Sequence, residues 1–169
     1  MKKILTAAIV ALLLVSISAC AFAATGLGSV TKVTSTPATA DAAASVAVNT
    51  TMCAVTIEDG KIVGIRFDAV QPKSNWETAV VEPQTKLELK EGYNMARVSA
   101  IGKEYYEQIA ALEAWCIGKT VEEVLTMPVM DRGDGSHTHV PTDVDLAAGC
   151  TISVADHLAA LEKAAAAAK

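Results

Sequence analysis

Two β-rich runs meet at Asp59-Gly60, and no other feature of the chain restricts its fold as strongly. Ser45 to Glu58 carries Val46, Val48, Cys53, Val55 and Ile57 among threonines, and Lys61 to Asp68 alternates Val63, Ile65 and Phe67 with Gly64, Arg66 and Asp68. Asp-Gly accommodates the positive φ angles of a type I′ turn, whose twist matches that of paired strands. An antiparallel hairpin is therefore expected here, and the rest of the chain must pack around it. Gly26 to Val33 reads as an earlier strand and Ser35 to Asp41 as a loop around Pro37. Thr85 to Leu89 reads as another short strand or edge piece, after an irregular stretch from Gln71 to Pro83.

From Lys103 the period changes. Tyr105, Ile109, Leu112 and Cys116 recur at the spacing of one helix face, with Gly118 in position to end the helix. Thr120-Val-Glu-Glu123 is a capping box that opens a short helix ending before Pro128. Asp131 to Pro141 is a loop, and a last helix is expected from about Ser153. Its apolar stripe is Val154, Leu158, Leu161, Ala165 and Ala168, and its alanine-rich end is expected to fray for want of anything to bury. Strands first and helices afterwards predict an α+β fold: a small antiparallel sheet with helices packed on one face and a C-terminal helix after a Gly-x-Thr turn.

Met1-Lys2-Lys3 and the apolar run Ile4 to Ile17 have the form of a secretory signal peptide, which assigns residues 1–19 to a leader. Ile17-Ser-Ala-Cys20 has the pattern of a lipobox, with Cys20 as the lipidated residue. Ala21-Phe-Ala23 is a competing cleavage site that releases a soluble protein. Both place the mature chain outside the cytoplasmic membrane, lipid-anchored or secreted, with residues 25–169 as a single domain. The net charge is −5, from 14 basic and 19 acidic residues, and becomes −7 once Lys2 and Lys3 leave with the leader. That balance excludes nucleic acid as a natural partner. Cys53, Cys116 and Cys150 are an odd set without C-x-x-C spacing, and so read as small buried hydrophobes.

The stretch with most chemistry in it is Asp145-Leu-Ala-Ala-Gly149-Cys150-Thr151-Ile-Ser153. It presents a hydroxyl beside a glycine just before a helix, where unpaired N–H groups and the helix dipole favour a phosphate. It resembles the Asp-x-x-Ser-Gly-Ala-Thr motif of FMN-binding domains, in which a flavin is esterified through its phosphate to the last threonine. Asp145, Gly149, Thr151 and Ser153 match the pattern; Ala148 and Cys150 stand where Ser or Thr, and Ala, are usual. The hairpin Ala54 to Ile62 also resembles the opening hairpin of these domains. More closely, the chain is similar to secreted FMN-binding-related proteins of anaerobic Gram-positive bacteria. It shares with them Ala-Thr-Gly-Leu-Gly near the mature start, Gly102-Lys-Glu-Tyr-Tyr-Glu-Gln108 and Gly118-Lys-Thr-Val-Glu-Glu123. The resemblance covers nearly all of residues 25–169.

The resemblance implies an α+β fold, FMN held covalently through Thr151 among Asp145, Gly149, Cys150 and Ser153, and a flavin transferase with envelope redox proteins as partners. It implies an electron carrier or binding protein rather than a stand-alone catalyst. The alternative is a non-catalytic member of the same fold, whose Thr151 and Ser153 only cap a helix, each contributing about 1 kcal/mol.

Other constellations are thinner. Asp134, His137, His139 and Asp143 share one loop and are candidate metal ligands, with His137 and His139 foremost; a metal-binding envelope protein is the second alternative. His157 lies beside the apolar stripe and reads as a packed or half-exposed histidine. Tyr105, Tyr106 and Trp115 are at helical spacing, where an aromatic pair either stacks on a flavin ring or packs at the core edge. Gly118-Lys-Thr120 is not a P-loop, since Glu113 occupies the partner glycine's position and a helix precedes it. No Ser-His-Asp or Cys-His arrangement has a local signature, so hydrolase chemistry has no support.

Overall fold

The computed structural model of the chain describes residues 23–75 and 83–169. The leader, the lipobox and Trp76 lie outside the described residues. Strand β1 (Ala24–Thr36) pairs antiparallel with β2 (Ser45–Glu58), from Ala24↔Ile57 to Thr36↔Ser45. Strand β3 (Lys61–Val70) pairs with β2 on its other side, and β4 (Lys73–Asn75) continues along the opening of β2. The β2–β3 turn is the one expected: φ is 49° at Asp59 and 75° at Gly60. The first strand runs well beyond the expected Gly26–Val33.

A register shift opposite Thr56 and Ile57 sorts the residues of β3 between its two faces. Ile62 and Phe67 are five residues apart, and strict alternation would put them on opposite faces; the irregularity brings both into the core. With Cys53, Val55 and Ala69 they floor the buried cluster. The other face carries Met52, Ala54, Arg66 and Asp68; Arg66 reaches Glu113 (3.3 Å), and Asp68 Oδ1 accepts from the Leu87 N–H (3.3 Å).

Helix α1 (Lys86–Leu89) corrects the expectation of a strand at Thr85 to Leu89. Thr85 and Glu88 form a reciprocal capping box, the Thr85 N–H donating to Glu88 Oε2 (2.8 Å) and the Glu88 N–H to Thr85 Oγ1 (3.3 Å). Two backbone groups are satisfied locally by a helix start, which a short edge strand would leave open. Helix α2 (Tyr105–Cys116) buries the four expected residues and Gln108 as well. After it Ile117 turns extended and Gly118 takes φ 81°. The Gly118 N–H then donates to Ile62 O (2.8 Å) on β3, so the glycine steers the helix exit onto the sheet edge. Glu113 covers the same edge by accepting from the Phe67 N–H (2.7 Å).

The Thr120–Glu123 box opens α3 (Val121–Leu125) as expected. A two-residue pair, β5 (Val129–Met130) with β6 (Val140–Pro141), closes the loop between them. Short α4 (Val144–Ala147) and long α5 (Ala155–Ala167) complete the chain. The stripe of α5 differs from the expected one: Val154, His157, Ala160, Leu161 and Ala164 are buried. The cause is distant in sequence, on β1. A Cβ at Gly26 would lie 1.9 Å from Ala164 O, and one at Gly28 would lie 2.2 Å from Ala160 O. Strand and helix backbones touch there, so the alanine end has a surface to bury and stays helical to Ala167. No helix among the described residues is long and apolar enough to cross a membrane.

Candidate functional site

The motif residues end up in three different environments. Asp143 caps α4, its Oδ1 accepting from the N–H groups of Asp145 (3.0 Å) and Leu146 (3.3 Å) and from Trp115 Nε1 (3.1 Å). Asp145 itself is exposed on that helix. Gly149 and Cys150 follow, both bonded through their N–H groups to Leu146 O (2.8 Å each). Gly149 presses on α2, where an added Cβ would lie 2.7 Å from the Ala111 Cβ. The Cys150 side chain turns into the core, and burial pushes its thiol up to about 11.

Thr151 stays half-buried. Its N–H (2.9 Å) and its hydroxyl (3.3 Å) both donate to Oε1 of Gln108, a residue with no exposed surface. The Gln108 amide nitrogen donates to Lys103 O (3.0 Å) and Ser99 Oγ (3.0 Å). A backbone N–H at one end and a carbonyl at the other assign the orientation of this amide. Gln108 was not singled out in the sequence, because a polar residue one step from an apolar stripe gives no local sign of a partner 43 residues away.

Neither Thr151 nor Ser153 caps α5. The N-cap is Val154, without a side-chain bond, and its N–H donates to His139 O (2.9 Å). The expected caps fail because Thr151 faces α2, not the first turn of α5. What lies beside Thr151 is a hollow of about 170 Å³, lined by Ser99, Gln108, Arg132, His137, Thr151 and Ile152 among others. Asp145 and Ser153 do not line it. Arg132 and His137 of the 131–137 loop do, and Arg132 is a second residue for which the sequence carries no local sign.

The candidate metal ligands do not assemble. His137 Nδ1 lies 2.7 Å from Asp134 Oδ2, and His139 Nδ1 meets the Thr138 hydroxyl at 3.1 Å. Asp143 is engaged in capping, and no group of three or more His, Cys, Asp or Glu side chains suited to a metal occurs among the described residues. The aromatics are also placed elsewhere: Tyr106 donates to Glu91 Oε1 (3.1 Å), and Lys119 Nζ sits over the Trp115 ring at 4.2 Å. A larger depression, about 480 Å³, lies on the sheet over Leu27, Met52 and Ala54 and shares no lining residue with the hollow at Thr151. No protein-family model matches the chain, and neither a curated protein nor a solved structure matches it.

Proposed function

We propose that the protein is an FMN-binding-like envelope domain that carries a flavin nucleotide through the Thr151 hydroxyl and passes electrons outside the cytoplasmic membrane. The observation that carries this reading is the placement of Thr151 Oγ1, oriented by buried Gln108 at the wall of an open hollow. Its volume is below the roughly 300 Å³ at which pockets take whole drug-sized ligands, so it suits a phosphate and the start of the ribityl chain, with the ring outside. When bound, the flavin supplies the redox chemistry. The chain's own residues orient and hold: Gln108 fixes the hydroxyl, and Gly149 brings the motif backbone against α2. Attachment forms the Thr151 Oγ–P bond and breaks the pyrophosphate bond of a flavin dinucleotide donor held by the transferase, so that a nucleoside monophosphate departs and a base of the transferase takes the hydroxyl proton. Residues 1–19 as leader and Cys20 as lipid anchor (or cleavage near Ala23) complete the proposal, with envelope redox proteins as partners.

One observation favours a second reading. The Thr151–Gln108 bonds and the Gly149–Ala111 contact clip α2 to the start of α5 whether or not a ligand is present. In that reading the motif has become structural in a non-catalytic envelope protein. Co-expression with a flavin transferase in a secreting host, followed by intact mass, separates the two. The flavin reading expects an adduct of one FMN minus water that is absent in Thr151→Val. An unmodified mass without visible absorbance rejects it.

A further inference from the structure

We infer that the hollow beside Thr151 is a phosphoryl-binding site whose affinity and specificity come from the Arg132 guanidinium. The inference rests on the flavin reading for the ligand it names, FMN, while the oxyanion chemistry is its own. The loop carrying Arg132 uses up the acids around it. Asp131 Oδ1 accepts from the Gly133 N–H (2.7 Å). Asp134 Oδ1 accepts from the N–H groups of Ser136 (2.9 Å) and His137 (2.8 Å), and its Oδ2 meets His137 Nδ1. These bonds, the two backbone amides foremost, hold the Asp134 carboxyl down at about 2. Gly133 and Gly135 make the turns at φ 74° each, and the Arg132 N–H donates to His137 O (3.0 Å).

Both carboxylates flanking Arg132 are thus committed to the loop itself. Among the described residues the guanidinium has no ion-pair partner, in a chain of net charge −5. An arginine left unpaired at the wall of a concavity offers two parallel N–H donors to phosphate oxygens, with geometry a lysine cannot reproduce. The Ser99 hydroxyl, whose oxygen accepts from Gln108 and whose own proton is uncommitted, lines the same hollow and adds a donor.

The test uses the full chain as recovered from a secreting host without the transferase, titrated with FMN, riboflavin and inorganic phosphate while backbone amide resonances are followed. FMN and phosphate are expected to shift Arg132, His137 and Thr151, with riboflavin leaving them in place. Arg132→Gln is expected to weaken FMN and phosphate binding by about tenfold or more, and Arg132→Lys to recover part of the loss. Arg132 is exposed, so both variants are expected to keep the wild-type melting temperature. A response to riboflavin equal to that of FMN, no response to phosphate, or unchanged affinity in Arg132→Gln overturns the inference. A Thr151 adduct in a chain that ignores phosphate leaves the flavin reading standing and refutes this one; phosphate binding without an adduct does the reverse.

Discussion

His157 is an ionisable side chain placed where ionisation is costly. It is 5% exposed, packs edge-on against Phe67 at 5.5 Å between ring centroids, and shares a 3.0 Å hydrogen bond through Nε2 with the Tyr105 hydroxyl. Its Nδ1 has no hydrogen-bond partner, so protonation would bury both a charge and an N–H without an acceptor. Burial first, then the nearby Lys86 ammonium, pushes the ring down from 6.5 to about 4, with Asp156 opposing. Lys86 is itself lowered to about 8 by burial, over the rings of Tyr93 and Tyr105. The folded state therefore binds the His157 proton more weakly than the unfolded chain. Stability from this residue is complete above about pH 6.5, falls as pH drops toward 4, and levels off below that. The expected loss is about 3 kcal/mol in all. Guanidinium denaturation between pH 7.5 and 3.5 measures it, and His157→Leu is expected to show a flatter profile by about that amount. An unchanged profile in the variant would show that His157 binds its proton as readily in the fold as in the unfolded chain.

At the scale of elements, the contact between β1 and α5 is set by the absence of two side chains. Gly28→Ala puts a methyl 2.2 Å from Ala160 O and 2.4 Å from the Ala164 N, both backbone atoms of a helix that cannot yield locally. The expected cost is about 3 kcal/mol or more, seen as a large drop in melting temperature. Gly60→Ala meets nothing within 4 Å and suffers only from its φ of 75°, so it should cost about 1 kcal/mol. A Gly28→Ala variant as stable as Gly60→Ala would show that helix and strand do not touch there. This contact also explains which elements could be read in the sequence. The β2–β3 hairpin and α3 carry their instructions within a few residues, in Asp59-Gly60 and in Thr120–Glu123. Helix α1 carries the same kind of box at Thr85–Glu88, but a short run of Lys-Leu-Glu-Leu looks equally like an edge strand. The buried face of α5 was misjudged by one step because the groove that receives it is on β1, more than 120 residues away by the Lys163 Nζ bond to Ser29 O (2.9 Å, separation 134). The motif draws attention to Thr151, whereas Gln108 and Arg132 come beside it only through folding.

At the scale of the whole molecule, the described helices pack against the sheet so that one buried cluster serves β2, the end of α2 and the turn before α5. Each of these three places contributes a cysteine: Cys53, Cys116 and Cys150, all free and 0–1% exposed. Burial pushes their thiols up to about 12, 12 and 11, which leaves almost no thiolate to react at neutral pH. Their labelling then reports opening of the structure, and a single shared core should open as one unit. The expectation is that iodoacetamide labelling, followed peptide by peptide under native conditions, is slow at all three sites with similar rates, and that all three accelerate together across the denaturant transition. Faster labelling at Cys150 alone would mean that the turn carrying Gly149, Cys150 and Thr151 opens by itself. On the proposed flavin reading, the hydroxyl would then reach a transferase through a local fluctuation that releases Gln108, and the hollow beside Thr151 would hold the nucleotide after attachment without being the route by which it enters.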